Sequence, residues 1–81
     1  ASQARLAGTM ERARLSRDSL VPRASRMASG AVRLFRSGET SVLQLFDALR
    51  VEREIALGYV QDLLAWQTAL ADWLVLLGRP E

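Results

Sequence analysis

The side chains able to do chemistry in this chain are carboxylates and guanidiniums, and their spacing keeps them apart. Asp47, Glu52, Glu54 and Asp62 are scattered along one stretch. Glu54 has only Gly58 one turn further on, and no convergent partner is present to raise a carboxyl pKa. The 81 residues include no His and no Cys, which removes the usual general base, the commonest metal ligand, any disulfide framework and any thiolate metal site. The expectation is therefore no catalytic residues, no metal site and no cofactor.

The charges carry a different signal. Residues 1–36 hold eight Arg against Glu11 and Asp18, a balance of +6, while residues 37–81 hold seven acids against Arg50, Arg53 and Arg79, a balance of −4. Opposite charge on the two halves favours laying one along the other, within a chain or between chains. Nucleic acid is a poor match: the arginines are interleaved with apolar residues, Lys is absent, and the acidic half repels phosphate.

Positioning these groups falls to two heptad-patterned stretches on either side of a short break, Ser37-Gly38-Glu39-Thr40. Before it, Leu6, Met10, Ala13, Arg17, Leu20, Ala24, Met27, Ala31 and Leu34 recur at alternating spacings of four and three. After it, Phe46, Leu49, Arg53, Ala56, Val60, Leu63, Gln67, Leu70, Leu74 and Leu77 do the same. A period of about 3.5 residues marks a helix that supercoils against a neighbour. The fold class expected is all-α, a long antiparallel two-helix coiled-coil hairpin. Its first helix covers about residues 2–36, the turn 37–40, and the second helix about 41–77, roughly 55 Å at 1.5 Å per residue.

The boundaries have local causes. Gly38 is suited to the left-handed conformation that ends a helix, with Arg33 and Arg36 complementing the negative end of the dipole. Ser41 followed by Gln44 fits a capping box, and Glu39 stands where negative charge is favoured. Gly78-Arg79-Pro80 supplies the stop. Pro22 falls inside the first stretch, so a kink is expected near residues 19–21 with the two pieces roughly collinear. Arg17, Arg53 and Gln67 are the polar seam positions, expected to snorkel or to set register.

The second stretch carries more apolar surface than one partner covers. One residue earlier than its seam runs another stripe: Ile55, Tyr59, Asp62, Trp66, Ala69, Trp73 and Leu76. Two adjacent stripes imply two neighbouring helices. A lone hairpin is expected to leave Tyr59, Trp66 and Trp73 bare, an interface by its size, and to pair with copies of itself, most simply as an antiparallel four-helix dimer. The expected interface residues are Phe46, Leu49, Tyr59, Val60, Leu63, Trp66, Leu70 and Trp73, with Phe46 opposite Ala31. The longest apolar run, from Trp73 to Leu77, is far short of the ~20 residues a membrane helix needs. Opening at Ala1 in mid-pattern, without a Met or a cap, reads as a segment of a longer chain.

Four motifs in order carry a family resemblance. Residues 34–50, with Phe35, Ser37-Gly38, Glu39-Thr40 and Phe46-Asp47-Ala48-Leu49-Arg50, resemble the last periplasmic hairpin turn of the TolC-like outer membrane factors, the outer-membrane efflux proteins. Leu20-Val21-Pro22-Arg23-Ala24 is similar to the Leu-Leu-Pro-x-Ala step before that turn. Tyr59, then Ala69-Leu70-Ala71-Asp72-Trp73-Leu74 and Leu77-Gly78, resemble the helix that leaves it. The likeness covers about residues 15–78; Phe35 stands where the family often has Tyr, and Trp73 where Leu is usual.

The resemblance implies a hairpin in the periplasmic α-barrel wall of a trimeric outer-membrane channel. It implies a place in a tripartite efflux system, fed by an inner-membrane transporter through a periplasmic adaptor. Arg36, Ser37, Gly38, Glu39, Thr40 and Ser41 would then form the adaptor-binding tip. The exported substrate, metal ion or drug, is not legible in this segment. The alternative is a stand-alone coiled-coil oligomerisation module, distinguished by whether flanking sequence supplies a signal peptide and strand-forming segments.

Overall fold

The computed structural model describes residues 2–78, and Arg79 and Pro80 of the expected stop lie outside them. The described residues are helical over 93% of their number and contain no strand. Helix α1 spans Ser2–Leu15, a π-helical turn follows at Ser16–Leu20, α2 spans Val21–Arg36, and α3 spans Val42–Gly78. The molecule measures 67 × 16 × 15 Å, the length of one long helix and the thickness of two, so the chain is a hairpin and not a folded-over bundle. Arg5 reaches Asp72 and Ser16 reaches Asp62, so positions further from the turn on one arm meet positions further from it on the other.

The first arm stays helical through Pro22. A proline in a regular helix lacks the donor for the carbonyl four residues back and collides with it. Here Pro22 sits in the first turn of α2, and the amide of Val21 donates to the carbonyl of Ser16, five residues back. The wider turn takes up one additional residue. That matters for packing, because the buried positions of this arm are Thr9, Ala13, Ser16, Ala24 and Ala28. Thr9 to Ser16 is seven residues, whereas Ser16 to Ala24 is eight. A regular helix would rotate the second group away by about 100°, the angle of one residue at 3.6 per turn. The π turn holds both groups on one face.

The core is consequently made of small residues. Among the described residues Thr9, Ala13, Ser16, Ala24, Ala28 and Ala69 are the buried set, and no large side chain is fully enclosed. Buried hydroxyls need partners. Thr9 Oγ1 donates back to the carbonyls of Arg5 and Leu6, at 2.9 and 3.0 Å. Ser16 Oγ donates across the arms to Asp62 Oδ2 at 2.7 Å.

The seam differs from the heptad expectation in one instructive way. On the first arm the expected seam positions Ala13 and Ala24 are buried, but Met10, Leu20, Met27 and Leu34 are exposed, Met27 at 61%, and Thr9, Ser16 and Ala28 take the remaining buried places. On α3 the stripe of Ile55, Tyr59, Asp62, Trp66, Ala69 and Trp73 turns inward and is buried or half-buried. The aromatics are thus not left bare by a lone hairpin. Phe46, expected opposite Ala31, is 59% exposed, and Leu45 beside it is half-buried. The physical reason is size matching. A face of Ala, Ser and Thr lets the second arm come close, and the largest side chains gain the most area by filling it, at about 25 cal/mol per Å² of apolar surface removed from water.

Candidate interaction surfaces

Two regions are candidates for contact with another molecule. The first is the tip. The amide of Glu39 donates to the carbonyl of Leu34 at 2.8 Å and that of Gly38 to Phe35 at 3.0 Å. This is the paired closure of a Schellman motif, and it demands a left-handed residue, which Gly38 supplies at φ 78°. Ser37 Oγ lies 2.6 Å from Glu39 Oε2 and 3.1 Å from the carbonyl of Leu34, which its single proton serves in turn. On the other side the amide of Gln44 donates to Ser41 Oγ at 3.2 Å, and the amide of Ser41 donates to Gln44 Oε1 at 3.3 Å. That is a reciprocal capping box. Thr40 Oγ1 also donates to Gln44 Oε1.

Of the expected tip residues, Arg36, Ser37, Gly38, Glu39 and Ser41 are exposed and Thr40 is half-buried. The tip is therefore a short cap, closed by backbone and side-chain hydrogen bonds on both sides, that presents Arg36 and Glu39 to solvent. A surface of that kind is rigid before it meets a partner, which lowers the ordering cost of docking.

The second region is one long face of the hairpin. A groove of about 240 Å³ is lined by Met10, Ala13, Arg14, Arg17, Tyr59, Leu63 and Trp66. A second, of about 270 Å³ and walled almost entirely by carbon, is lined by Gln3, Leu6, Ala7, Met10, Trp66 and Leu70. They share Met10 and Trp66, so the depression is continuous. Toward the tip a further groove of about 250 Å³ is bounded by Phe46, Leu49, Arg50 and Arg53.

Among the expected interface residues, Tyr59, Leu63, Trp66, Leu70 and Trp73 are half-buried against the first arm, whereas Phe46, Leu49 and Val60 are exposed. Leu74 and Leu77 continue that uncovered row, at 58% and 62% exposure. The structure divides the expected interface into a filled half and an open half. Sequence reasoning missed Thr9, Ser16 and Ala28 as buried contacts, while Ala69 belongs to the stripe it named. The signal for them was present: small residues at 9, 13 and 16, then at 24, 28 and 31, mark where helices approach closely.

Charges sort unevenly around this face. Arg50 is clasped by Asp47 at 2.5 Å and Glu54 at 2.9 Å, and those hydrogen bonds, Asp47 first, hold its guanidinium above the ordinary arginine pKa. Arg17 binds Asp18 at 2.8 Å, and the hydrogen bond from Arg17 draws the Asp18 carboxyl below the usual aspartate value. Asp72 is taken by Arg5, on the flank of the first arm away from the grooves. Among the described residues Arg14 and Arg53 have no carboxylate in ion-pair reach. No helix of the described residues is long and apolar enough to cross a membrane. No protein-family model, no curated protein and no solved structure matches the chain.

Proposed function

We propose that the chain is a wall element: an antiparallel coiled-coil hairpin whose long faces pack against further helices and whose tip meets a different protein. The observation that carries this reading is the uncovered row of α3. Phe46, Leu49, Val60, Leu74 and Leu77 remain exposed after the hairpin has closed on its other stripe. A helix with one stripe filled and the adjacent one largely open is suited to a second neighbour, and a row of exposed large apolar side chains, here interrupted by Arg53 and Gln67, marks an interface.

The order of the motifs around Pro22, Gly38, Asp47 and Gly78 supports placing that wall in the periplasmic α-barrel of a TolC-like outer membrane factor. This locates the chain in the periplasm as part of an outer-membrane efflux channel. Its neighbours would be other hairpins of a trimer, and an isolated hairpin would self-associate as a dimer or higher oligomer. The tip would dock a periplasmic adaptor that delivers substrate from an inner-membrane transporter. The rigid, capped turn supports the tip assignment, because a docking point at the end of a wall needs a fixed shape.

The test is made at the tip in the channel assembly. Glu39→Arg with Thr40→Trp changes charge at an exposed turn position and bulk at the half-buried one beside it, and turn substitutions away from the core ordinarily alter stability by about 0.5 kcal/mol. Helicity and assembly should be retained while adaptor crosslinking and export fall. Unimpaired export and crosslinking with the bulky, reversed tip would reduce the turn to a helix cap and overturn the docking assignment.

A further inference from the structure

We propose that the grooved face of the hairpin receives an amphipathic helix whose apolar stripe is edged with carboxylates, supplied by a segment other than the same face of a second copy. This rests on the reading that α3 has a second helical neighbour, and it gives that neighbour a chemistry.

Shape makes the first half of the case. The grooves that share Met10 and Trp66 run along the line where the two arms meet, and the row of side chains on a third helix settles into such a channel as ridges settle into grooves. Val60, Leu49 and Phe46 extend the apolar floor toward the tip.

Charge makes the second half. The α3 row at positions 46, 49, 53, 56, 60, 63, 67, 70, 74 and 77, exposed except at the half-buried Leu63 and Leu70, contains Arg53 and Gln67 but no carboxylate. The first arm borders the groove with Arg14 and Arg17. No Asp or Glu lines any of the three grooves, and Asp47 and Glu54 of α3 are held by Arg50. Arg14 and Arg53 are exposed beside the apolar channel and form no ion pair among the described residues, although Asp18 lies close enough to Arg14 to feel its charge. Two copies joined groove to groove would bring arginines to both sides of the seam with no carboxylate of the row between them, and like charges across an interface select against that pairing. A helix with Glu or Asp on its edges satisfies the same positions.

The experiment uses two synthetic helices with identical leucine stripes, one edged with Glu and the other with Lys, titrated against the 81-residue chain. A Trp73→Phe background makes the tryptophan emission report on Trp66, which lines both grooves. The Glu-edged helix should bind at least about tenfold more tightly at low salt, a margin that shrinks as salt screens the charges. Arg14→Glu with Arg53→Glu, checked by circular dichroism for retained helicity, should reverse the preference. Equal affinity for the two helices, or preference for the Lys-edged one, overturns the proposal. Binding of neither does so too, and sedimentation then separates the causes. A chain that still self-associates keeps its second neighbour and loses only the charge assignment, whereas a strict monomer removes both.

Discussion

The two arms of the hairpin solve the same packing problem in opposite ways. The first arm contributes small residues and interrupts its own geometry, with a π turn at Ser16–Leu20, to keep them in line. The second is one unbroken helix that contributes the large side chains, Tyr59, Trp66 and Trp73. The pairing is a shelf and its load. It teaches that the seam of an asymmetric hairpin is set by complementarity of size, which a count of apolar residues at heptad spacing does not weigh. A heptad scan rewards Met10, Met27 and Leu34 on the first arm because they are large, yet a large residue there would hold the arms apart.

The sharpest way to break the comparison is to make the shelf bulky. Ala28→Leu inserts atoms where Ala28 is only 4% exposed, and overpacking of this kind costs about 1–3 kcal/mol. Met27→Ala next to it, at an exposed site, should stay within about 0.5 kcal/mol. Thermal melts of the two variants decide the matter: a larger loss from Met27→Ala would return the seam to its heptad positions.

Removing the load tests the other arm. Trp66→Ala deletes a half-buried indole that lines both grooves. Complete burial would put the loss at about 3–5 kcal/mol, so half-burial places it near about 2 kcal/mol. Phe46→Ala, on the open row, should leave the melt of the dissociated hairpin almost unchanged while weakening any association through that row. Equal destabilisation by both variants under dissociating conditions would mean that α3 turns a different face to the first arm.

Much of this molecule was legible before its coordinates. Gly38, Ser41 and Gln44 declared the turn because each answers a backbone requirement local to a few residues: a left-handed cap, an N-cap acceptor and its return partner. The apolar period declared two helices for the same reason. What the sequence withheld was rotation about the helix axis. The two stripes of α3 differ by one residue, about 100°, and choosing between them needs the partner's surface. That surface in turn depends on the π turn. Pro22 signalled a disturbance but not that the helix would absorb it by adding a residue to one turn. Ser16, at the start of that turn, has no heptad merit, and its bond to Asp62 emerges only once the faces are fixed. The tip, as a candidate site, was readable residue by residue. The grooved face was not, because it is what remains after the arms have chosen each other.

The π turn offers a finer test. Ser16→Ala leaves the Asp62 carboxylate without the donor it accepts at 2.7 Å, and loss of a part-buried hydrogen bond costs about 1 kcal/mol. Pro22→Ala should leave the turn in place, since the eight-residue step from Ser16 to Ala24 demands it with or without proline. Proton exchange at the Val21 amide, which donates to Ser16, reports on both. If Pro22→Ala converts the segment to a regular helix, with the Val21 amide bonding to Arg17 instead, proline and not seam phase is the cause of the turn.

The smallest effect concerns the solvent side of the same turn. Arg17 fixes Asp18 through paired hydrogen bonds at 2.8 and 3.2 Å, and this lowers the Asp18 carboxyl below its ordinary value. A carboxyl whose pKa is lower when folded favours the fold at pH values above its unfolded pKa. That contribution fades as the pH falls through the folded value, so the window lies at and below the usual aspartate range. Because the pair is fully exposed, solvent and salt screen it and the melting temperature should barely respond. The carboxyl itself is the better reporter. A carbon-13 titration should place Asp18 below an ordinary aspartate, and Arg17→Gln should raise it toward the usual range, Arg14 retaining a smaller pull, with the Ser16–Asp62 bond intact. An unchanged midpoint in Arg17→Gln would mean that the exposed side of the turn is not held by this pair. The phase of the first arm would then depend on its buried side alone, on Ser16 and the small residues that lie against α3.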